Sequence, residues 1–188
     1  MTKEEFHNKK KLEYFEYMIF KFKEWYEENG RLDFCDKMSR FKVQKLLFFC
    51  ASVKNPYGED LLNVFDNFYA APTGFVEADI HQAMVDDAFT SIRLKERTFS
   101  FKTSYFETKL GEYEKEKIDI AVGCLKAVSP KLVWYYAMDL GEMHRCWTCW
   151  KACNMTYEAL GRQSMKCPTD LIRKDNPKFR SINYEMML

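Results

Sequence analysis

The sequence predicts a mainly α, compact single-domain helical bundle over residues 1–188, with one short β element near residues 98–105. Apolar residues recur at three- and four-residue steps along most of the chain, the period of amphipathic helices. At 188 residues, 47% hydrophobic and 30% charged, the chain can bury a core without disulfide or metal staples. No repeat, low-complexity tract or long linker divides it, so a single core is expected.

The elements follow in order. Thr2 and Glu5 form a capping-box pattern ahead of a first helix. Its stripe is Phe15, Met18, Ile19, Phe22, Trp25 and Tyr26, and Asn29-Gly30 supplies the stop. Ser39 can cap a second helix bearing Val43, Leu46, Leu47 and Cys50. Phe48 and Phe49 on its other face make it apolar nearly all round, so it belongs in the centre. "NPYG", Asn55 to Gly58, is a turn. A third apolar segment, Leu61 to Tyr69, runs into "AAPTG", where Pro72 and Gly74 are expected to break it. Another helix is expected from near Phe75, with Val76, Ile80, Ala83 and Met84 on one side. From Thr98 to Tyr105 the period shortens to two, with Phe99, Phe101, Thr103 and Tyr105 alternating with polar residues, which predicts the strand. Ile118, Ala121, Val122, Leu125 and Val128 mark a further helix. Ser129-Pro130 reads as an N-cap with proline at the first helical position, opening a helix through Leu132, Val133, Tyr136 and Leu140. Cys149, Cys153, Tyr157 and Leu160 form a last stripe, closed by Gly161.

Charge narrows the function classes. A formal net charge of +1 gives no overall field toward nucleic acid or anionic lipid. The run Lys9-Lys10-Lys11 stands among glutamates and reads as a solvated helix face. No apolar run approaches the roughly 20 residues of a membrane span. The charged start "MTKEEFHNKKKLEYFEYM" has no signal-peptide core, and seven cysteines, an odd number, suit reduced thiols in the cytoplasm.

The stretch "MHRCWTCWKAC", Met143 to Cys153, raises the question of a metal. Zinc needs thiolates or imidazoles converging tetrahedrally, usually as two short-spaced pairs. Cys146 and Cys149 are one pair, which His144, Cys153 or the distant Cys167 would have to complete. Cys146, Cys149 and Cys153 also match one helix face, and packed thiols are the preferred reading. A metal-binding enzyme built on His144, Cys146, Cys149 and Cys153 is the alternative. The chain has no G-x-G-x-x-G, P-loop, G-x-S-x-G or H-E-x-x-H, and Asp86-Asp87 reads as solvated surface. No catalytic residue and no cofactor are therefore assigned.

Three segments carry a resemblance. "FKVQKLLFF", Phe41 to Phe49, resembles the leucine- and lysine-bearing helix that opens the Panacea domain of SocA-like antitoxins, a family common in phages and prophages. That family follows with a phenylalanine-rich segment and an A-W-x-x-G-P-V turn. In "FYAAPTGFVEADI", Ala70, Gly74 and Val76 match it, whereas Ala71, Phe75 and His81 replace tryptophan, proline and tyrosine. "LGEMHRCWTCW" is similar to the family's later helix, with Leu140, His144 and Trp147 or Trp150 as counterparts. The likeness spans about residues 38–176, preceded by the N-terminal helix. It implies a non-catalytic antitoxin that binds and neutralises a cognate toxin protein by direct contact, or an adaptor delivering the toxin to a protease. A phage protein engaging a host defence component would use the same scaffold. Lys45, Tyr69, Gly74, His144 and Trp147 are the candidates for supporting or forming the interface.

Overall fold

A computed structural model describes residues 3–28, 30–103, 106–175 and 179. Among them are eight α-helices and five short strands, so the fold is mainly α with a small antiparallel component. Thr2, Asn29 and Tyr105 lie outside the described residues.

Helix α1 (Lys3–Glu27) packs its apolar stripe against α5 (Glu112–Val128) and α4 (Ala78–Val85). Phe15, Met18, Ile19 and Phe22 on that stripe are fully buried. A four-residue helix, α2 (Phe34–Lys37), leads into α3 (Arg40–Ser52). Ser39 caps α3 by accepting a hydrogen bond from the Lys42 N–H at 3.2 Å. Every residue from Lys42 to Ser52 is buried. α3 is thus the axial helix that its all-round apolar pattern requires, surrounded by α5, α6 (Ala137–Arg145) and β2 (Gly74–Glu77).

The stretch after α3 departs from expectation. Leu61–Tyr69 is not a third helix, and Pro72 and Gly74 do not merely break one. Strand β1 (Phe68–Ala71) and β2 form a hairpin whose two-residue turn is Pro72-Thr73, with Ala71 opposite Gly74 and Phe68 opposite Glu77. Phe75 and Val76 belong to β2, and α4 starts only at Ala78, capped by Glu77. The second edge of β1 carries β5 (Met165–Lys166), giving the order β2-β1-β5. The predicted strand near residues 98–105 is β4 (Phe99–Phe101), shorter than the alternating run, and it pairs with β3 (Ile92–Leu94).

Ser129-Pro130 also plays another part than predicted. Ser129 terminates α5, a single 3₁₀ turn follows at Leu132–Trp134, and α6 begins at Ala137. Trp25 donates its indole N–H to Pro130 O at 3.2 Å, and Trp134 donates to Tyr26 O at 3.3 Å. These bonds fasten the connection to the end of α1. The last thiol-bearing stripe is α7 (Thr148–Ala159), and Gly161 ends it in the left-handed region at φ +64°. A short α8 (Thr169–Lys174) closes the described chain.

Candidate functional site

Strand β2 lies at the edge of its sheet, so alternate backbone N–H and C=O groups point away from β1. Buried and unpaired, each would cost about 1–3 kcal/mol. Side chains pair all four. The Phe75 N–H donates to His144 Nδ1 at 3.0 Å, and Phe75 O accepts from Lys45 Nζ at 3.2 Å. The Glu77 N–H donates to Gln44 Oε1 at 3.0 Å, and Glu77 O accepts from Gln44 Nε2 at 3.3 Å. Adjacent residues of α3, Gln44 and Lys45, thus act with His144 of α6 as a substitute strand.

This fixes the chemistry of His144. Because Nδ1 accepts from Phe75, its proton sits on Nε2, which donates to Lys45 O at 3.1 Å. Burial, and then the Lys45 charge, push its pKa well below the ordinary histidine value, so the ring is neutral. Phe48 and Phe49 pack on it with centroids at 4.6 and 4.5 Å. With both nitrogens occupied, His144 cannot join the nearby cysteines. The alternative set His144, Cys146, Cys149 and Cys153 does not converge on one point among the described residues. Instead Cys149 and Cys153 meet Cys167, and all three are buried. Hydrogen bonding with Cys149 and burial push the Cys167 thiol up.

Gly74 and Gly141 allow the close packing. A Cβ on Gly74 would lie 2.9 Å from His144 Cβ and Nδ1, and Gly74 has φ +105°. A Cβ on Gly141 would meet Thr73 O at 3.0 Å. Helix α6 therefore presses directly against the hairpin turn. Trp150 of α7 adds a hydrogen bond from its indole N–H to Ala71 O at 3.1 Å.

Of the five residues singled out from the sequence, Lys45, Gly74 and His144 come together at the β2 edge. Trp147 stands behind them, fully buried, edge-on to Phe48 at 4.9 Å. Its indole nitrogen has no hydrogen-bond partner among the described residues. Tyr69 is elsewhere, half-buried on the opposite face of β1 from Phe68 and Ala70. Gln44 and Phe75 complete the junction and were not anticipated.

Burial, with Arg145 adding to it, pushes the Lys45 ammonium from 10.5 down to about 7. Between those values the unfolded chain holds a proton that the folded chain has released, so stability rises with pH through this window. Replacing Lys45 by methionine removes that dependence. The variant's stability relative to the parent is expected to be greatest at or below pH 7 and to fall by about 2 kcal/mol by pH 9, read from urea melts. A pH-independent difference would show that Lys45 keeps its ordinary proton affinity.

A second buried cluster overturns the solvated reading of Lys9-Lys10-Lys11. Lys9 is exposed, but Lys11 is 1% exposed. Its ammonium donates to Asp66 Oδ1 at 2.8 Å, Glu77 Oε1 at 2.9 Å and Asp79 Oδ2 at 2.5 Å. Burial alone would lower its pKa; the three carboxylates outweigh this and hold it above the ordinary lysine value. Glu77 in turn accepts from the N–H groups of Asn67 and Ile80 at 3.2 and 2.8 Å. These carboxylates are the only three-donor group close enough to hold a metal ion among the described residues, and Lys11 stands among them as their cation.

No described helix is long and apolar enough to cross a membrane. No protein-family profile, curated protein or solved structure matches the chain.

Proposed function

We propose that this chain is an antitoxin-like protein that binds a partner toxin protein and neutralises it by direct contact. One observation supports this reading above the others: the three segments that resemble the Panacea domain, far apart in sequence, meet around Phe75. Lys45, Gly74 and His144 lie inside that junction, where they serve architecture rather than chemistry. Their part in partner binding is to hold the hairpin tip against α6.

The surface so held is the interface we assign. Pro72 and Thr73 are exposed at the tip, and Arg145 reaches Pro72 O at 3.4 Å. Met138 and Glu142 continue the outer face of α6, with Met138 78% exposed. An exposed methionine flanked by charged groups suits an adaptable protein contact with a polar rim. The free thiols fit a reducing cytoplasm.

The test is co-expression with the product of an adjacent gene. Growth arrested by that product is expected to be restored, and the two proteins to co-purify. Met138→Asp is expected to weaken the complex by about tenfold or more while leaving the melting temperature nearly unchanged. Harmless, unbound neighbours would remove the antitoxin reading; full rescue by Met138→Asp would move the interface elsewhere.

A further inference from the structure

A groove of about 600 Å³ opens where the end of α1, the start of α3 and the segment before α6 meet. Its volume lies within the range of small-molecule sites, roughly 300–1,000 Å³. Lys42 lines it and is only 5% exposed. The other two deeply buried ammonium groups are engaged: Lys11 has three carboxylates and Lys45 has Phe75 O. Among the described residues no acceptor hydrogen-bonds Lys42 Nζ, which stands 5.7 Å from the centre of the Tyr26 ring. A largely buried ammonium that no acceptor hydrogen-bonds favours an anion able to supply those bonds.

The surroundings add positive charge. Arg31, Lys37 and Lys131 line the same groove, and Asp36 is the one carboxylate on its wall. Asp33 lies close enough to act on Lys42, but its carboxylate accepts from Tyr26 Oη at 2.9 Å. Ser39, the N-cap of the 13-residue α3, also lines the groove, so the positive end of that helix faces it. The Arg31 guanidinium lies over the Trp134 ring, 5.1 Å from its centre. Tyr136, 72% exposed, offers a flat aromatic face on the wall.

We propose that this groove binds a phosphorylated small molecule carrying a planar ring, of the nucleoside monophosphate class. The phosphate pairs with Lys42 and Arg31 at the start of α3, and the ring stacks on the aromatic wall. Asp36 is placed on the same wall as an acceptor for sugar hydroxyls. The assignment stands independently of the antitoxin reading.

Calorimetric titration of the full chain at low salt with AMP, ribose 5-phosphate and inorganic phosphate tests it. AMP is expected to bind at least about tenfold tighter than either of the others, since stacking adds to the ionic contacts. Lys42→Met is expected to weaken AMP binding by about tenfold or more while raising the melting temperature, because it removes a largely buried ammonium that no acceptor hydrogen-bonds. Lys131→Glu, an exposed change, is expected to weaken AMP binding with the melting temperature unchanged, which covers the case in which Lys42→Met fails to fold. Absence of AMP binding, or AMP binding indifferent to both substitutions, overturns the site. Inorganic phosphate binding as tightly as AMP overturns the planar-ring assignment.

Discussion

Lys11→Met is expected to lower the unfolding free energy by about 3–5 kcal/mol at pH 7, the cost of leaving a buried carboxylate without its partner. For a chain of this length that corresponds to a fall in melting temperature of roughly 10 °C or more. The effect is large because Glu77 is fully buried, and Asp66 and Asp79 crowd the same space. Burial already pushes the Glu77 carboxyl up while Lys11 pulls it back down. Without Lys11 the carboxyl rises further, so the folded variant binds a proton that its unfolded state has lost. Stability gained from that proton is present at low pH and lost as pH rises. The deficit of Lys11→Met is therefore expected to shrink between pH 7 and pH 5. Adding Glu77→Gln should recover part of the loss at pH 7. Denaturant melts across this range check both statements, and a loss under about 1 kcal/mol at pH 7 would show that the carboxylates accommodate one another without the lysine.

Gly74→Ala is expected to cost about 2–5 kcal/mol, combining an alanine at positive φ with overpacking against a buried ring. The added methyl would displace His144, which cannot retreat because Phe48 and Phe49 pack against it. Losing the His144 position also unpairs the Phe75 N–H. Hydrogen exchange at the Phe75 amide is the specific readout: it should accelerate more than exchange in α1 or α5. Uniform acceleration would mean that the substitution acts only through global stability.

The residues explain why some of this was legible in the sequence. Helices α1, α3, α5 and α7 each bury a stripe or an entire surface, so their apolar period survives in the sequence. Strands β1 and β2 are four residues each and carry little alternation. "FYAAPTGFVE" consequently resembles a helical run with breakers, although its Pro-Thr turn followed by glycine also suits a hairpin. Lys11 was hidden by its neighbours: within Lys9-Lys10-Lys11, composition suggests a solvated face. The signal against that reading is the spacing, because Lys11, Phe15, Met18 and Phe22 lie four, three and four residues apart on the buried stripe of α1.

Lys45, Gly74 and His144 stood out from the sequence, yet their joint task depends on which strand forms the sheet edge. That depends on β5 pairing with β1 rather than with β2. Gln44 is silent in the sequence, because an amide in an apolar helix carries no signal of its own. Its two bonds to Glu77 exist only once β2 lies alongside α3. The family likeness and the buried junction thus involve the same residues, but only the fold explains why a glycine, a lysine and a histidine are needed there.

The sealing of β2 also sets a timetable for biosynthesis. Phe75 and His144 are 69 residues apart, so the strand leaves the ribosome well before the imidazole that completes its border. At roughly 5–20 residues per second, that interval lasts about 3–14 s. During it the nascent hairpin has Gln44 and Lys45 available but an unmatched amide at Phe75, open to pairing with a neighbouring chain. Slow translation through residues 76–144 would lengthen that exposure.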